Sequence, residues 1–142
     1  MHKYREKKYK GRQVVFKVVN VGVESVFDHV ITTTDSKGRK EYTCIENIGY
    51  FSKRYQKWII REKNDKSDGA TYAKDIDSFC WLFHDELCDT GNWEDGDPCT
   101  NWQGSSVLSD IMKEEGYIFL AVWWFLATWL FGGKKLRKNG MF

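Results

Sequence analysis

Residues 75–88 read "DIDSFCWLFHDELC". Apolar residues recur at 76, 79, 80, 82, 83 and 87, a spacing that fits a helix better than alternation. The chain before this stretch has a different texture. "RQVVFKVVN" (12–20) and "SVFDHVITTT" (25–34) are β-branched and read as strands. "DSKGRK" (35–40) is a turn, "EYTCIENI" (41–48) a third strand and "RYQKWIIRE" (54–62) a fourth. After residue 73 the helical pattern continues. "WQGSSVLSDIMKEEG" (102–116) is a second helix stopped by Gly116, and "YIFLAVWWFLATWLF" (117–131) a third, ended by Gly-Gly and basic residues. The expected fold class is therefore α+β: an N-terminal antiparallel β-sheet, then a three-helix C-terminal unit. One domain is expected over residues 1–142, with a strand-rich part at 12–62, a helical part at 73–133 and a basic tail at 134–142.

Charge is segregated along the chain. Residues 1–63 carry a net +8, residues 64–116 a net −10, and the remainder +4. The quoted helix lies in the acidic block, which concentrates cations and repels nucleic acid, so no nucleic-acid partner is expected. The four cysteines, Cys44, Cys80, Cys88 and Cys99, follow a charged opening segment with no apolar core of a signal peptide, so reduced thiols are expected. Cys80, His84 and Cys88 form a drifting stripe on one helix. Structural zinc sites place ligands on loops at C-x₂₋₄-C spacing, which is absent, so the cysteines read as small core residues.

The third helix carries no charge and is apolar all round, so something must cover it. Three coverings are open: the protein's own core or an oligomer, a short membrane span, or a membrane interface. Trp123, Trp124 and Trp129 suit an interface.

His84–Asp85 is the chemical centre of the sequence. The two side chains lie about 100° apart on a helix, so they serve adjacent points and need a partner from elsewhere. A short loop predicts that the second helix runs antiparallel beside the first, and Asp110 is its mid-helix carboxylate. A carboxylate on His84 would fix its tautomer and raise its basicity, which prepares a general base. Asp85 would then bind a cation beside the attacked group. The loop at Asp68–Gly69 would complete a calcium site of oxygen ligands. The expected catalytic pair is thus His84 and Asp110, with Asp85, Asp68 and Gly69 on Ca²⁺. The competing expectation is that His84–Asp110 is a buried tie between helices with no catalytic role.

"DGATYAKDIDS", "FHDELCDTG" and "SSVLSDIMKEEG", followed by an aromatic helix closing on "LFGG", resemble the phage-encoded domain-of-unknown-function family 1353. The resemblance covers about residues 58–133. It places Asp68, Ser67 or Thr71, His84, Asp85 and Asp110 on the family's polar positions, with Cys88 where a tyrosine is usual. It implies a bacteriophage source and no particular activity. The order of loop, His–Asp and Asp is also similar, as an arrangement, to calcium-dependent secreted phospholipases of the A-two type, without their disulfide framework. Two functions are expected on this footing. One is a cation-assisted hydrolase of lipid or another ester at a membrane, contacting lipid through 117–131. The other is a non-catalytic virion, assembly or host-interaction protein that binds itself or other phage proteins. The expected location is the host cytoplasm or membrane, or the virion.

Overall fold

The computed structural model describes residues 3–67 and 76–142. The fold is α+β, with N-terminal strands followed by C-terminal helices. The strands form two sheets. β1 (Lys3–Tyr9) and β2 (Arg12–Val18) make a hairpin that turns at Lys10–Gly11, both with positive φ as a tight two-residue hairpin turn requires. A 3-10 turn at Val26–Asp28 precedes β3 (Val30–Thr34), which pairs with β4 (Lys40–Cys44) across the expected turn. β5 (Ile48–Ser52) and β6 (Lys57–Arg61) follow, then β7 (Lys66–Ser67). The first sheet has the order β1-β2-β5-β6 and the second β3-β4-β7.

Several boundaries differ from expectation. The stretch 41–48 is two strands rather than one, broken between Cys44 and Ile48 because the chain leaves one sheet for the other. The stretch 25–34 is a strand only from Val30. β2 and β5 pair in parallel, Lys17 with Ile48 and Val18 with Gly49, so the sheet is not wholly antiparallel. A parallel pair needs a long crossover, and here the β3–β4 hairpin supplies it. Gly49 is required at this pairing: a Cβ there would lie 2.4 Å from the Phe16 ring.

α1 (Cys80–Thr90) is the central element. Trp81, Leu82, Phe83 and Leu87 are buried, and Trp81 and Phe83 meet Tyr42 and Tyr50 from the two sheets at ring-centroid distances of 4.9 and 5.6 Å. α2 (Asn101–Glu114) packs on the other side of α1. It opens with a capping box in which Thr100 accepts from the Gln103 N–H and Gln103 accepts from the Thr100 N–H. α3 (Ile118–Phe131) lies on α2 through Ala121 and Thr128, and the Thr128 hydroxyl donates to Ser105 at 2.8 Å. The basic tail is not a free tail. Residues Lys134–Asn139 form α4, whose Leu136 is wholly buried against the other helices.

α3 is not covered by the protein's own core. Phe119 is 87% exposed and Trp123 69%, with Ile118, Val122, Leu126, Leu130 and Phe131 also exposed. Among the described residues, no helix is long and apolar enough to cross a membrane.

Candidate functional site

The start of α1 is held from α2's end. Glu115 accepts from the Phe79 N–H at 2.8 Å and from the Ser78 hydroxyl, and Ser78 accepts from the Cys80 N–H. Burial pushes the Glu115 carboxyl up. Just before the helix, the Asp77 carboxylate accepts from the Val26 N–H at 2.9 Å. The helix ends at Gly91 in the left-handed conformation (φ 73°), whose N–H returns to the Leu87 carbonyl. These ends fix the rotation of α1, and with it the direction of His84.

His84 lines a cavity of about 280 Å³ enclosed by α1, α2, α3 and the Gly132–Lys134 link. Trp81, Leu108, Trp124, Thr128 and Phe131 form most of the wall, and His84, Asp85, Cys88 and Lys134 supply its polar atoms. His84 is only 7% exposed. Its Nδ1 lies 3.5 Å and its Nε2 3.9 Å from Cys88 Sγ. One thiol cannot satisfy two divergent ring nitrogens, so one nitrogen keeps hydrogen-bonding capacity that no strong partner among the described residues meets. Burial lowers the imidazole to about 4, which leaves it neutral at physiological pH. Burial, reinforced by the negative charge of Asp85, raises the Cys88 thiol to about 12. The pair is therefore thiol and neutral imidazole, not thiolate and imidazolium.

Two glycines let the backbone close on this pair. A Cβ on Gly133 would lie 2.9 Å from Cys88 Sγ. One on Gly104 would lie 2.8 Å from Leu136 Cδ1 and 3.8 Å from the His84 ring. Gly104 is thus an α2 residue that faces His84.

The expected His84–Asp110 pair is not formed. Asp110 stands six residues beyond Gly104, which on a helix is about 9 Å along and about 120° round. Both its oxygens instead accept from Arg54, at 2.8 Å each, in a bidentate pair. Asp85 does reach the cavity, and also borders a second hollow with Glu41, Lys66, Ser67 and Asp89. Asp68, Gly69 and Thr71 lie outside the described residues. Among the described residues, no group of three or more His, Cys, Asp or Glu side chains comes together to hold a metal ion. None of the four cysteines is in a disulfide.

The buried carboxylate of the quoted stretch is Glu86, which sequence reasoning passed over. It accepts from Arg61 at 3.0 Å and from the Tyr9 hydroxyl. Arg61 is itself wholly buried and also donates to Asp89, Ser67 and the Lys66 carbonyl. This network ties α1 to β1, β6 and β7. A signal was present: Glu86 follows Leu82 by four and Phe83 by three, which puts it on their face of the helix, toward the sheets.

No family model matches the chain, and no curated protein or solved structure matches it either.

Proposed function

We propose that the protein docks on a lipid surface through the outward face of α3. Phe119, Trp123, Leu126 and Leu130 fall at i, i+4, i+7 and i+11, a single stripe, and all are exposed. An aromatic side chain carries ~150–250 Å² of surface, so Phe119 and Trp123 alone expose on the order of 300 Å². With Leu126 and Leu130 the stripe reaches the size of the largest apolar patches of monomers, which are often functional. Fourteen residues of helix rise about 21 Å, short of the ~30 Å of a bilayer core, so the helix lies in the interface and does not span it. Exposed Lys134, Lys135 and Lys138 follow at its C-terminal end, where anionic head groups complement them.

The observation that carries this reading is the stripe itself, with Phe119 87% and Trp123 69% exposed on a helix face that nothing among the described residues covers. Phe131, 70% exposed at the end of the same helix and about 120° round from Phe119, forms part of the cavity wall, so docking through α3 would set the His84 cavity near the lipid surface. Binding is a better reading than hydrolysis, because Arg54 holds Asp110 and burial makes His84 a weak base.

Co-sedimentation with vesicles of phosphatidylglycerol and phosphatidylcholine tests the proposal. Binding is expected, with quenching of tryptophan fluorescence by brominated lipid. The folded double variant Phe119→Ser/Trp123→Ser should lose both. A folded wild-type monomer that ignores these vesicles, or a stable dimer that buries the stripe, would overturn it.

A further inference from the structure

We propose that the cavity beside α3 binds one medium-length acyl chain ending in a carboxylate, its tail against Trp81, Leu108 and Phe131 and its carboxylate between His84 and Lys134. The inference rests on the lipid-surface reading for the source of the ligand, and on separate geometry for the site.

Size sets the first limit. About 280 Å³ lies at the lower edge of the ~300–1,000 Å³ typical of ligand pockets, room for a single short chain and not for a two-chain lipid. Chemistry sets the second. Apolar walls with a few convergent polar groups are what an amphiphile requires. Trp81 and Leu108 are buried, and Phe131, exposed at the end of α3, leads from the cavity to the surface. The polar end holds the imidazole of His84, one nitrogen of which Cys88 leaves without a strong partner. A neutral imidazole carries one N–H, and a carboxylate oxygen is a strong acceptor for it. Lys134, exposed at the rim, supplies the countercharge.

An alcohol cannot use Lys134 as a countercharge, so the site favours a carboxylate over it.

The test is titration calorimetry on the full chain in vesicle-free buffer, with decanoate below its micellar concentration. One saturable site is expected, with decanol weaker. Lys134→Glu, an exposed position, should weaken decanoate about tenfold, the size of one lost charge-assisted contact. His84→Phe should do likewise, and Leu108→Trp, which fills the cavity, should abolish binding in a protein that still melts cooperatively. Lack of saturable binding by the wild type would overturn the proposal, as would undiminished binding by the folded Leu108→Trp variant. The two readings separate cleanly. Phe119→Ser/Trp123→Ser should lose vesicles and keep decanoate. Wild-type binding to vesicles without decanoate binding removes the cavity site alone, and decanoate binding without vesicle binding removes the docking face alone.

Discussion

Arg54 donates to both carboxylate oxygens of Asp110, each at 2.8 Å, and so takes the one carboxylate that the second helix offers in its middle. The pair joins α2 to the β5–β6 turn. Its Arg side chain is 54% exposed, so solvent screens much of the attraction. A double-mutant cycle of Arg54→Ala and Asp110→Ala should give a coupling of about 0.5 kcal/mol in urea denaturation. The titration of His84, followed by NMR, should be the same in Asp110→Asn as in the wild type. A displaced His84 titration would mean that the carboxylate reaches the ring after all.

Glu86 and Arg61 are the opposite case, a pair sealed from water at 3.0 Å. Removing one partner leaves a buried charge with too few partners. Glu86→Leu should cost about 3 kcal/mol, the lower end of the range for broken buried pairs, because Asp89 still faces Arg61. The double variant Arg61→Met/Glu86→Leu should recover part of that loss, since two apolar side chains leave no charge stranded. Equilibrium denaturation measures both. A single variant costing under about 1 kcal/mol would mean that water reaches the pair.

The elements that could be read from the sequence are those whose own pattern decides them. The 3.6-residue recurrence of α1 and the turn between β3 and β4 are local signals. β1 escaped notice because "KYREKKY" is nearly all polar, as suits an edge strand that discourages further pairing. α4 escaped because a single residue, Leu136, anchors it beneath a run of lysines. The parallel β2–β5 pair joins strands that are distant in sequence and leaves no local mark. His84 and Asp85 could be picked out as residues, and both line one cavity. Their relation to Asp110 could not, because it depends on the rotation of α2, which Gly104 and the Thr100 cap set together.

Gly132 closes the cavity at the end of α3. Its φ of −75° is ordinary, so space and not backbone strain makes it glycine. An added Cβ would fall 2.1 Å from the Thr128 carbonyl oxygen, a backbone atom that cannot swing aside. Gly132→Ala should therefore unwind the last turn of α3 and cost ~1–3 kcal/mol, the range for overpacking. Thermal unfolding measures the loss, and an unchanged melting temperature would contradict the close approach.

His84 makes stability depend on pH with a definite sign. Its folded value is about 4, and an exposed histidine in the unfolded chain titrates near ~6.5. Between these values the unfolded chain binds the proton and the folded protein does not, so stability rises with pH across the window and is lost as pH falls from ~6.5 toward 4. Above ~6.5 both states are neutral and the contribution is flat. The full effect is about 3 kcal/mol. Glu86 and Glu115 act the other way, because burial raises their carboxyls above the unfolded value and favours the folded state as acid is added. The wild-type profile alone therefore mixes opposing slopes. His84→Phe isolates the histidine: the wild type should lose more stability than this variant between pH 7 and pH 4.5, by urea denaturation at each pH. Parallel profiles for the two proteins would show that water or a charged partner reaches the ring. In that event His84 would titrate normally.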